Sequence, residues 1–109
     1  MPKFELYDFV KYGKLFEIYG GLLSADRQEI MNLYFDFNMT LSEISKEKNI
    51  SRQAVLDSIK KSCTKLDEFE DKLKLNERKL QLREELEALK NAKSLDSIKL
   101  KVDKLLGEI

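Results

Sequence analysis

Ser51, Arg52 and Gln53 stand together at the head of an amphipathic run, and Asp57, Lys60 and Lys61 follow on the side its apolar residues leave open. These side chains suit nucleic acid: an arginine fork spans two acceptors on guanine, a glutamine amide does the same on adenine, and serine holds a backbone phosphate. The first three also begin a helix, where unpaired amides and the helix dipole favour an anion. Between Lys46 and Lys65 six basic residues face two acidic ones, a local excess of four in a chain whose formal charge is zero. The ordinary alternative is a solvated face laced with i,i+4 charge pairs.

Other chemistries find little support. There is no histidine, the usual proton-transfer group near neutral pH and the commonest metal ligand. A single cysteine, Cys63, excludes an intrachain disulfide and a thiolate metal cluster. The densest carboxylates, Asp67, Glu68, Glu70 and Asp71, fall in one helical run and read as a solvated acidic face. That face would repel a duplex brought near it, or it could meet a basic protein partner. A chain of 109 residues leaves little room for a deep enzyme cleft. The expectation is a binding module without enzymatic activity, cofactor or metal. The N-terminal MPKFELYDF carries charges every few residues and lacks a long apolar stretch, which predicts a cytoplasmic protein with no membrane insertion.

The elements that must position these side chains are all helical, because the one proline is at position 2 and strand-like alternation is missing. A first helix from Phe4 to Tyr19 places Phe9, Tyr12, Phe16 and Tyr19 on one face. That stripe could cradle bases, but its spacing favours burial against a neighbouring helix. Gly20 and Gly21 are expected to end it by taking the left-handed conformation. Ser24 caps a second helix running to about Phe37, with Ile30, Leu33, Tyr34 and Phe37 facing inward.

Thr40 and Glu43 form a capping box that starts a third helix, buried through Leu41 and Ile44. Asn49 falls at a tight turn that wants positive φ, and Ile50 is expected to fill the space beneath it. Ser51 caps a fourth helix whose inward face is Val55, Ile59, Cys63 and Leu66. Two helices joined by such a turn can set the second across a major groove while the first braces it, so Ile44, Ile50 and Val55 must be buried.

Beyond Leu66 the pattern continues without a breaker. Ile59, Leu66, Leu73 and Leu80 recur every seven residues, with Leu75, Leu82 and Leu89 as a second row, which predicts one long helix, straight or kinked. The rows lapse near Asn91 to Ser94. Ser94 caps a last helix whose seam is Leu95, Ile98, Val102, Leu105 and Ile109. This hairpin must bury its stripe against itself, the head or another chain, and a homodimer is the simplest solution. The expected division is a head over residues 1–75 and a coiled-coil-like packing segment over 76–109.

The stretch YGGLLSADRQEIMNLYFDFNMTLSEISKEKNISRQAVLDSIKKSCTKL, Tyr19 to Leu66, resembles the YlxM family of small Gram-positive bacterial proteins. The resemblance rests on Tyr19-Gly20 before Leu22-Leu23, the Gln28 helix ending in Leu33-Tyr34, Leu41-Ser42-Glu43-Ile44, and Ile50-Ser51-Arg52-Gln53-Ala54-Val55. It fades past Leu75. More loosely, the same region is similar to region 4 of sigma-70 factors, which reads promoter DNA.

The resemblance implies an all-α protein with a wingless helix-turn-helix head, an N-terminal helix and long C-terminal helices. It further implies a gene neighbouring the GTPases of the signal recognition particle and a regulatory or accessory part in that pathway. Sigma-like DNA-reading positions carry over to Ser51, Arg52 and Gln53. Ser45 departs from a frequent alanine and Asn49 from a frequent glycine; serine can bond back to the preceding turn, and asparagine accepts left-handed geometry.

The leading expectation is a dimeric regulator that binds duplex DNA through Ser51, Arg52, Gln53, Asp57, Lys60 and Lys61. The alternative is an accessory protein that binds the signal recognition particle's GTPase or its RNA through the same basic face. A third reading makes the C-terminal segment the active part of a structural adaptor.

Overall fold

The computed structural model describes residues 6–109 as six α-helices with no strand among them. They are α1 (Leu6–Tyr19), α2 (Ala25–Phe35), α3 (Leu41–Lys48), α4 (Arg52–Leu73), α5 (Leu75–Lys90) and α6 (Leu95–Glu108). Phe4, the expected first residue of α1, lies outside the described residues. A first compact unit ends at Lys74 and a second comprises Leu75–Ile109.

The first unit is built around α4, which packs against α1, α2 and α3. Its core joins Leu15 and Tyr19 of α1, Ile30, Met31 and Tyr34 of α2, Leu41 and Ile44 of α3, and Val55, Ile59, Cys63 and Leu66 of α4. The aromatic stripe of α1 is packing material, as its spacing suggested. Tyr19 is buried, while Phe9, Tyr12 and Phe16 are partly buried against the core. The Phe9 ring centroid lies 4.9 Å from that of Phe35.

Several helix ends form where the sequence placed them. The Ser24, Ser51 and Ser94 hydroxyls accept from the amides of Arg27, Ala54 and Ser97. At Thr40 both arms of the capping box form, the Glu43 amide donating to Thr40 Oγ1 at 3.1 Å and the Thr40 amide to Glu43 Oε1 at 2.9 Å.

Other ends differ. The described glycines include none with positive φ. Instead of a left-handed stop, α1 tightens into a 3-10 turn, Gly20–Leu22. Gly20 serves close approach, since a Cβ there would stand 2.8 Å from the Phe16 ring. Helix α2 stops at Phe35, short of Phe37, because Asn38 turns left-handed at φ 53° and the Met39 amide donates back to the Leu33 carbonyl at 3.0 Å. Phe37 is therefore 65% exposed and does not face inward.

The single long helix expected past Leu66 is also corrected. Lys74 adopts φ 57°, ψ 28° and ends α4, and α5 begins at Leu75. Ile59 and Leu66 belong to the core, but Leu73, Leu80, Leu75 and Leu82 of the seven-residue rows are exposed. Within the second unit α5 and α6 form a hairpin. Arg78 Nη2 meets the Glu108 carboxylate at 3.8 Å, and Lys101 Nζ donates to the Ala88 carbonyl at 3.1 Å. Leu89, Ile98 and Leu105 are half-buried, whereas Leu95, Val102 and Ile109 of the expected seam are exposed. Nothing in this hairpin is fully buried.

Candidate nucleic-acid interface

Helices α3 and α4 are joined by Asn49, Ile50 and Ser51. Asn49 takes φ 54°, ψ 47°, the left-handed geometry its position called for. The Ile50 amide donates to the Ser45 carbonyl at 3.1 Å, and Ser45 Oγ donates to the Ile50 carbonyl at 2.5 Å. Serine thus closes the turn forward, across Asn49, where a bond back to the preceding turn was expected. Ile44 and Val55 are buried beneath the turn, but Ile50 is 37% exposed and lies at its edge.

A second brace ties this pair to α2. Lys48 at the end of α3 hydrogen-bonds Glu29 and reaches Asp26 Oδ1 at 3.1 Å. These partners, Glu29 first, raise the lysine's pKa. Lys48, counted above among the local cations, is therefore engaged within the protein.

Ser51, Arg52, Gln53, Asp57, Lys60 and Lys61 are all exposed. The Ser51 hydroxyl accepts from the Ala54 amide at 3.0 Å. Gln53 Nε2 donates to Asp57 Oδ1 at 3.0 Å, so the glutamine amide is held along the helix surface by the one carboxylate of this face. Arg52, Lys60 and Lys61 make no ion pair with any described residue. Arg52 and Gln53, with Leu41 and Leu56, line a hollow of 170 Å³.

The acidic run behind the basic one differs from a solvated face. The Tyr12 hydroxyl donates to Asp67 Oδ2 at 2.7 Å, the Tyr19 hydroxyl to Glu70 Oε1 at 2.6 Å, and Lys11 pairs with Asp67 at 3.3 Å. Two of the four carboxylates are thus turned into the packing of α1 on α4. Glu68 lies 3.9 Å from Lys65, and Asp71 remains exposed. Burial and the Asp67 hydrogen bond raise the pKa of Tyr12, and burial pushes the Cys63 thiol up to about 12. Cys63 is a packing residue, protonated at neutral pH.

Sequence reasoning missed Arg27. It stands on α2 yet shares a groove with Lys60, Lys61, Thr64 and Lys65 of α4. Locally it is one charge among those of the first turn of α2; only the packing of α2 on α4 brings it to this face.

A left-handed turn between two braced helices, the second opening with exposed polar residues, defines a helix-turn-helix protein. Over residues 7–105 the chain matches the UPF0122 family, described as "Putative helix-turn-helix protein, YlxM / p13 like", and it belongs to that family. The match takes in both hairpin helices, so the likeness does not fade past Leu75. A UPF0122 protein of Fusobacterium nucleatum is 39% identical over 101 residues, spanning 93% of this chain and 98% of the relative. One from Acetivibrio thermocellus is 41% identical over 90 residues, 82% of this chain and 77% of the relative. One from Clostridium perfringens is 36% identical over 100 residues, 87% and 89% of the two chains. None of the helices among the described residues is long and apolar enough to cross a membrane.

Proposed function

We propose that this is a non-enzymatic, cytoplasmic DNA-binding protein that enters the major groove with the N-terminus of α4. The observation that carries this reading is the exposed Arg52, without an ion pair among the described residues, on a helix start held rigid by Ile44, Val55 and the Asn49 turn. Arg52 would bridge guanine acceptors. Ser51 and the first amides of α4 would hold a phosphate, and Lys60 and Lys61 would track the backbone. Leu41 and Leu56, which line the hollow beside Arg52, could meet a thymine methyl. Asp57 serves as the tether of Gln53 and not as a direct contact. Two heads joined through exposed leucines such as Leu82, Leu86, Leu100 and Leu106 would make a homodimer with paired half-sites.

Arg52→Ala is expected to weaken binding to a duplex library by about 1–3 kcal/mol and to relax sequence preference, whereas Lys60→Ala lowers the salt slope by about 1. Equal affinity of wild type and both variants at two salt concentrations would remove the reading.

One observation favours a second reading. With its amide engaged by Asp57, Gln53 is a poor base reader, which leaves a face better suited to phosphates and to the shape of a folded RNA. Together with the resemblance to the YlxM family, this supports an accessory role on the RNA or the GTPase of the signal recognition particle. Such a protein tolerates Gln53→Ala but loses affinity when Lys60 and Lys61 are both replaced. Competition between structured RNA and duplex DNA for the purified protein separates the two.

A further inference from the structure

The groove shared by α2 and α4 has a composition that local sequence does not announce. Four of its five lining residues, Arg27, Lys60, Lys61 and Lys65, are cations, and the fifth is Thr64. No carboxylate lines it. Of these four cations only Lys65 forms an ion pair with a described residue, the exposed Glu68 at 3.9 Å, a separation at which such a pair contributes little. Thr64 Oγ1 donates to the Lys60 carbonyl at 3.1 Å, so its hydroxyl proton is already used. Another hollow of the head, of 550 Å³, has the opposite character: Glu17, Glu29 and Asp36 line it and no cation does. A formally neutral protein has gathered cationic side chains from two helices around a groove of 290 Å³, whose walls are largely the aliphatic stems of those side chains.

We propose that this groove is a phosphodiester-binding site for one strand of duplex DNA, with Arg27 as a backbone-contacting residue supplied by α2. The proposal rests on the reading that Arg52 enters the major groove and extends the contact beyond α4. Lys60 lies eight residues after Arg52, about 12 Å along the helix axis, close enough for both to meet one duplex. On this proposal one strand of the duplex whose base edges meet Arg52 runs along the Arg27 groove. The cations then flank successive phosphates of that strand. Lysines along one helix would give a line of point charges. An arginine from a second helix gives a wall, and its planar fork can take two oxygens of one phosphate.

The test uses the full chain with Arg27→Gln on one wall and Lys61→Gln on the other, both checked for unchanged thermal melting. Affinity for a random duplex pool is measured across a salt series. Each variant is expected to lower the slope of log affinity against log salt by about 0.9, the signature of one lost phosphate contact, with sequence preference unchanged. An unchanged slope in Arg27→Gln, with Arg52→Ala still relaxing sequence preference and Lys61→Gln still lowering the slope, overturns the groove and leaves the DNA-reading helix standing. A slope change seen on duplex RNA but not on DNA overturns the assignment to a DNA strand. Failure of the wild type to bind any duplex removes both the groove and the reading beneath it.

Discussion

Asn49 shows how one residue can set the geometry of the site. Its left-handed φ of 54° lets the Ile50 amide reach the Ser45 carbonyl, and that closure fixes the direction in which α4 leaves the turn. A β-branched or bulky residue at this φ would be strained, and even alanine lacks the short polar side chain that makes the region tolerable for asparagine. Asn49→Ala is expected to cost about 1 kcal/mol, and Asn49→Gly to cost little or to stabilise. Urea denaturation midpoints at constant slope read both changes. An alanine variant as stable as wild type would mean that the turn does not depend on this conformation. Asn49 was legible from sequence because the requirement is local. The engagement of Gln53 by Asp57 was not, because a side chain four residues away on the same face can equally be left to water.

Among the elements, α1 depends most on tertiary partners. Its aromatic face packs on the core, but Tyr12 and Tyr19 are oriented by Asp67 and Glu70 of α4, more than fifty residues on. A hydrogen bond to a partly buried carboxylate is worth more than a neutral one. Tyr12→Phe is expected to destabilise the head by about 1–2 kcal/mol. It should also speed hydrogen exchange in α1 before α3 and α4 are affected, because α1 opens as a local unit. Uniform loss of protection across the head would count against α1 as a separable element. The aromatic periodicity of α1 was readable as burial. The carboxylates opposite it were read as a solvated face because acidic spacing along one helix says nothing about which of its sides another helix will cover. The break at Lys74 was missed for a related reason: lysine carries no signal for a left-handed conformation, so a seven-residue leucine row ran across the end of α4 unnoticed.

At the scale of the whole molecule, alkaline pH should be the weak side. Tyr12 and Tyr34 are raised above 10.0, chiefly by burial, and Cys63 is pushed from 9.0 up to about 12 by burial. Lys48 is raised above 10.5, first by its hydrogen bond to Glu29. Each group holds its proton more tightly folded than unfolded. Their contribution is therefore complete below the unfolded values and is lost as pH rises through them toward the folded ones. The melting temperature should hold between pH 7 and about 8.5 and fall beyond about pH 9, less steeply in Tyr12→Phe than in wild type. A flat profile to pH 11 would contradict this linkage. The chain by itself determined the helical class, the caps at Ser24, Thr40, Ser51 and Ser94, the left-handed hinge at Asn49 and the polar opening of α4. Each follows from interactions within a few residues, which the order of side chains fixes directly. Only the tertiary structure decided which charges remain available. The meeting of α3 with α2 engaged Lys48, packing of α1 on α4 engaged Asp67 and Glu70, and packing of α2 on α4 brought Arg27 beside Lys60 and Lys61. Ionic partners distant in sequence are chosen by which helix faces meet, and no local spacing encodes that choice.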